Sequence, residues 1–131
     1  MKDLFKFWLD LGADGFRIDA VSFLFEAEHL LDEPLNNSTN GGYWGQRRHI
    51  YTQHLPENMI LVHEWREILD GYKKRDGKTR LLCVEDINRA QLLFQYFGNE
   101  TFLAAHFPFT MVWYTWTTRR MQLSWINLFM N

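Results

Sequence analysis

The sequence predicts an α/β fold with a parallel sheet of about three strands. Three short segments, Gly15–Asp19, Arg80–Glu85 and Thr101–Phe109, carry the apolar alternation of strands. Stretches of helical period separate the first from the second and the second from the third. Strands separated by helices pair in parallel through right-handed crossovers. With 131 residues, 47% hydrophobic and 17% aromatic, the chain has single-domain length and enough apolar content for a packed core.

Lys2–Leu11 carries Leu4, Trp8 and Leu11 at helical spacing, with Phe5 and Leu9 widening the stripe. No capping signal precedes it, as though the chain were cut into an existing helix. Gly12 and Gly15 punctuate the entry to the first strand. There Phe16 and Ile18 share one face and Arg17 and Asp19 the other. A helix over Ser22–Leu31 is expected next, with Phe23, Ala27 and Leu30 or Leu31 on its apolar side.

Asp32–Leu55 holds a proline, paired glycines and several aromatics, and reads as a long loop with a Gly41–Gly42 turn. Tyr43 and Trp44 within it suit either stacking on a sugar or filling a core or interface. Pro56 opens the next helix, and Leu61, Trp65, Ile68 and Tyr72 mark its inner face. Val62 and Leu69 stand beside that face. Lys73, Lys74 and Arg75 suit the negative end of the helix dipole, and Gly77 stops it.

In the second strand, Leu82 and Val84 face one way and Leu81, Cys83 and Glu85 the other. Cys83 reads as a small buried hydrophobe. Asn88 is placed to cap a helix that buries Leu92, Leu93, Tyr96 and Phe97 before Gly98–Asn99 ends it. Met111–Asn131 is aromatic-rich and has no clear caps.

Composition also excludes. A net charge of −2 supplies no electrostatic footprint for nucleic acid or an acidic membrane. A single cysteine allows no intrachain disulfide. His29, His49, His54, His63 and His106 offer no paired helical spacing for a metal and read as isolated surface or loop groups. No metal site and no cofactor are expected. No apolar run approaches the roughly 20 residues of a membrane span. The N-terminal helix contains acids, unlike the apolar core of a signal peptide. Asn36, Asn37 and Asn99 head N-x-S/T triplets, which matter in a secretory pathway. The localisation stays open.

The segment GFRIDAV closely resembles the nucleophile segment of the alpha-amylase family of glycoside hydrolases. Its continuation FLFEAEHLLDEP looks like the animal maltase (alpha-glucosidase) branch, as do VHEWREILDGY, FQYFGN and AAHFPF further on. The resemblance covers approximately residues 2–109 and leaves 110–131 unassigned, unlike the family's continuation and suggestive of a gene-model artefact. It implies part of a (β/α)8 barrel, a fold of about 250 residues. It assigns Asp19 as nucleophile, Arg17 as the arginine that accompanies it in the substrate site, and Glu85 as acid/base.

Asp19 and Glu85 each end a predicted parallel strand, so both would open onto the carboxyl edge where such folds do chemistry. Retaining glycosidases use carboxyl groups about 5–5.5 Å apart, which neighbouring strands can deliver. Glu85 needs a raised pKa to act as an acid, and Asp19 with apolar walls would supply it. Spacing alone favours salt bridges at strand ends; the resemblance is what assigns chemistry.

Several departures are visible. Phe23 stands where many members have a substrate-site histidine. Asp86 and Ile87 follow Glu85 in place of a small residue and an aromatic, and Asp86 would either alter the pKa of Glu85 or point to solvent. Neither the family's early aspartate–histidine segment nor its later NHD-type segment occurs here. The expectation is therefore a central piece of a retaining alpha-glucosidase, inactive alone, whose complete form takes an alpha-glucoside or maltose-like oligosaccharide. The resemblance implies full-length relatives that are secreted or membrane-attached. Bare sheet edges would favour self-association. The alternative is a non-catalytic amylase-like domain related to amino-acid transporter heavy chains.

Overall fold

The computed structural model describes residues 1–37, 42–86 and 90–110. Helix α1 spans Lys2–Asp10, strand β1 Gly15–Ile18, helix α2 Gly42–Gly45 and helix α3 Pro56–Asp76. Strand β2 spans Leu81–Glu85, helix α4 Ala90–Gln95, β3 Gly98–Asn99, β4 Phe102–Leu103 and β5 Phe107–Phe109. The main sheet has the order β1-β2-β5 and both pairings are parallel. The α/β class and the parallel sheet are as the sequence predicts.

Register follows from the apolar pattern. Phe16 pairs with Leu82 and Ile18 with Val84, so these side chains share the face that meets the helices. Leu82 and Val84 are fully buried against Phe5, Val62, Trp65 and Leu69. Phe5 stacks on Trp65 with ring centroids 5.2 Å apart and contacts Phe16 at 4.2 Å, joining α1, α3 and β1. The opposite face of the sheet carries Arg17, Cys83 and Phe107 side by side in register.

Helix α3 begins at Pro56, whose fixed φ suits a first turn, and ends at Gly77. Gly77 takes φ 77° and its N–H donates to Lys73 O at 2.8 Å, the left-handed cap that a side chain would strain.

Several expectations are corrected. Ser22–Leu31 is not a helix; after a 3-10 turn at Val21–Phe23 the chain has no regular structure. Its hydrogen bonds go instead to the far arm of the long loop: Ala27 N–H donates to Tyr51 O, and Glu33 accepts from Ile50 N, Tyr51 N and Thr52 Oγ1 at 2.8–3.0 Å. Tertiary bonding has outweighed local helical period there. The loop itself contains α2 and a Leu35–Arg47 bridge; Gly41 of the expected turn lies outside the described residues.

The inner stripe of α1 is Phe5 and Leu9, whereas Leu4, Trp8 and Leu11 are exposed. On α3 the buried positions are Asn58, Val62, Trp65 and Leu69, a face rotated from the one expected, with Leu61 and Ile68 at its margin. Thr101–Phe109 is split: β4 pairs antiparallel with β3 in a hairpin, and only β5 joins the main sheet. Phe97 is exposed rather than buried, and Cys83 is half-buried. Asn88, and the tail from residue 111, lie outside the described residues.

Candidate active site

The carboxyl edge of the sheet gathers the three candidate residues. Glu85 is the last residue of β2, while Asp19 stands one position beyond β1 rather than on it. Arg17 is the exposed member of β1 and pairs with Cys83. The alternation that packs the partly buried Phe16 and Ile18 against the core sends Arg17 to the face away from the helices.

Arg17 Nη2 donates to Asp19 Oδ1 at 3.1 Å and to Glu85 Oε2 at 2.7 Å. Two oxygens sharing one donor cannot be farther apart than those distances added, so the two carboxyl groups meet at one nitrogen. The two acids meet different surroundings. The Asp19 side chain is 75% exposed and that of Glu85 only 7%.

The Glu85 pKa is raised above the usual carboxylate range. The largest cause is the hydrogen bond that its protonated form makes to the Asp19 carboxylate, followed by burial. The Arg17 charge opposes both. One acid is thus biased toward holding a proton beside a carboxylate that stays in contact with water. That division of labour is what acid-assisted displacement at a sugar carbon requires.

Phe109 belongs to this edge and sequence reasoning missed it as a site residue. It pairs with Glu85 in register, and the Arg17 guanidinium lies 5.6 Å from its ring centroid. The signal was present in FPF, whose first and last residues share a face once the third strand is paired with the second.

Behind the carboxylates sits a polar cluster, also missed. Asp86 is fully buried, not turned to solvent, and its Oδ2 lies 3.7 Å from His54 Nδ1. Buried Asn58 donates to Ser22 O at 2.9 Å, and His54 N–H donates to the same oxygen at 3.0 Å. These bonds tie the turn after Asp19 to the end of the long loop. Burial, then the Asp86 charge, raises the pKa of the Tyr96 hydroxyl. The histidines are therefore not all isolated. His106 Nδ1 accepts from Leu82 N at 3.1 Å, and His63 stacks on Phe102 with centroids 3.9 Å apart. Among the described residues, no three His, Cys, Asp or Glu side chains group to hold a metal ion. No described helix is long and apolar enough to cross a membrane.

Phe23, four residues past Asp19, is half-buried and lies 6.1 Å from Trp44 of the loop, ring to ring. Trp44 in turn stacks on His49 at 3.7 Å.

The family model "Alpha amylase, catalytic domain" matches residues 1–130. Maltase A2 of Drosophila melanogaster is 39% identical over 114 residues, covering 82% of this chain and 20% of that protein. Maltase 1 of Drosophila virilis is 40% identical over 112 residues, covering 83% and 18%. The chain thus spans about a fifth of the length of the curated relatives it matches. Among solved structures, that of the alpha-glucosyl transfer enzyme XgtA is similar with a TM-score of 0.60 and 28% identity. That likeness covers 75% of this chain and 19% of XgtA.

Proposed function

The chain belongs to the alpha-amylase catalytic-domain family, and on that premise we propose that it is the carboxylate-bearing centre of a retaining alpha-glucosidase. Its complete form releases terminal alpha-linked glucose from maltose-like substrates. Asp19 attacks the anomeric carbon while Glu85 gives its proton to the departing oxygen. Glu85 then takes a proton from water, and that water displaces Asp19 from the sugar. Arg17 binds in the site and holds the two acids together. The single observation that carries this reading is the shared Arg17 nitrogen between two acids whose exposures differ so widely. A non-catalytic, transporter-associated role has no need of that acid pair, so its presence favours hydrolysis.

The family's barrel is built from eight strand–helix units, and the described sheet here has three strands. The isolated chain is accordingly inactive, and purified chain should leave maltose and nitrophenyl glucoside intact. In the protein completed with its flanking strands, Glu85→Gln should slow maltose turnover by about 10²–10⁴-fold. Formation of the glucosyl-enzyme from nitrophenyl glucoside should suffer far less, because nitrophenolate leaves without a proton. Added azide should restore turnover by replacing water. Equal loss on both substrates with no azide rescue would remove Glu85 from the acid/base role.

A further inference from the structure

Between α4 and β5, the hairpin β3–β4 carries the triplet Asn99-Glu100-Thr101 at its turn. Asn99 Oδ1 accepts three hydrogen bonds, from Thr101 N at 3.0 Å, Thr101 Oγ1 at 2.9 Å and Phe102 N at 2.9 Å. The amide nitrogen Nδ2 takes part in none of them. Asn99, Glu100 and Thr101 are all exposed.

The other triplets differ. Asn36 commits its Nδ2 to Gly45 O at 3.4 Å, and its backbone N–H donates to Gln46 O. Both triplets headed by Asn36 and Asn37 run into residues outside the described ones.

A second feature adjoins Asn99. Phe97, two residues upstream, is 42% exposed, and its ring stacks on that of exposed Phe94 at 6.3 Å. Gly98 between them takes φ 74°, and a Cβ there would strike Phe102 O, so the backbone bends tightly from the phenylalanine to the asparagine. Water covers these two rings poorly. The apolar face of an N-acetylhexosamine, with its axial C–H groups, is a natural cover for an aromatic face.

We propose that Asn99 is an N-glycosylation site and that Phe97 is the ring on which the first sugar rests. In the transfer, Nδ2 displaces the diphosphate from C1 of a polyprenyl-diphosphate oligosaccharide. The N–C1 bond forms and the C1–O bond breaks. The diphosphate leaves with the bonding pair, and one amide proton passes to a base of the transferase. The hairpin precedes the starting end of β5, whereas Asp19 and Glu85 stand at the finishing ends of their strands. The glycan therefore leaves the acid pair accessible. This inference stands apart from the glucosidase reading and survives its failure.

The test is expression of the whole chain through a eukaryotic secretory pathway, with intact mass measured before and after peptide N-glycosidase. A glycan on Asn99 is expected, lost in Asn99→Gln and in Thr101→Ala, kept in Thr101→Ser and in Asn36→Gln. Phe97→Ala should lower occupancy severalfold, and Phe97→Tyr should preserve it. The glycosylated parent should melt a few degrees above its enzymatically trimmed form, a gap that Phe97→Ala abolishes. Secreted chain bearing no glycan at Asn99 overturns the site. Unchanged occupancy and an unchanged melting gap in Phe97→Ala overturn the role of the ring.

Discussion

Arg17 is nearer to Glu85, 68 positions away in sequence at 2.7 Å, than to Asp19, two positions away at 3.1 Å. The arginine two residues from Asp19 in sequence is in space held more closely by Glu85, the proposed acid/base. Its position follows from β1 and β2 running parallel in a register that sets Arg17 beside Cys83, one alternation short of Glu85. The Glu85 pKa is thus a balance, raised by Asp19 and burial and opposed by Arg17.

That balance has a signature in stability. A carboxyl group whose folded pKa exceeds its unfolded value stabilises the fold while protonated, at pH below the ordinary glutamate value. The contribution disappears as pH rises through the folded pKa. The stability difference between the parent and Glu85→Gln should therefore shift against the parent as pH rises from below the ordinary glutamate value through the raised pKa of Glu85. Denaturant midpoints of the two proteins across that range measure it. A shift in the parent's favour would contradict the assigned direction.

Gly15 tests the strand alignment. A Cβ at Gly15 would meet the Leu81 backbone, 2.8 Å from its nitrogen and nearer still to its oxygen. Backbone cannot step aside as a flexible side chain can. Gly15→Ala should cost about 1–3 kcal/mol by overpacking and loosen the alignment of Asp19 with Glu85. Denaturation reads the first, and a changed Glu85 titration by carboxyl NMR reads the second. Wild-type stability and titration would show that the strands tolerate separation.

Much of the sheet was legible because its strands alternate cleanly. Phe16 with Ile18, and Leu82 with Val84, determined the buried face, and Glu85 as the last residue of its strand followed. Pro56 and Gly77 bracketed α3 for equally local reasons. The Ser22–Leu31 segment was not legible, because its hydrogen bonds depend on Tyr51 and on the partners of Glu33, far along the chain. Phe109 escaped notice as a site residue since its place beside Arg17 depends on the pairing of β5 with β2. Likewise, no period in the sequence reveals that Asp86 turns inward toward His54.

The exposed apolar surface predicts association. Phe7 and Trp8 of α1 and Leu11 just beyond it are 48–65% exposed, and Phe107 on β5 is 58% exposed. In the described sheet β1 and β5 each lack a partner on one side. Sedimentation velocity of the isolated chain should show oligomers that grow with concentration. Trp8→Glu with Phe107→Lys should move the distribution toward monomer, since charge on an open edge opposes pairing. A parent chain that stays monomeric as its concentration rises would refute this.

The decisive measurement concerns the atom that the sugar joins. The completed protein is treated with a fluorinated glucosyl fluoride that forms the glycosyl-enzyme readily and releases it slowly, then digested and mapped by mass spectrometry. The account predicts one glucosyl ester, on Asp19, absent from Asp19→Asn and accumulating in parallel with loss of activity. A label on any other carboxylate, or full turnover by Asp19→Asn, would contradict it.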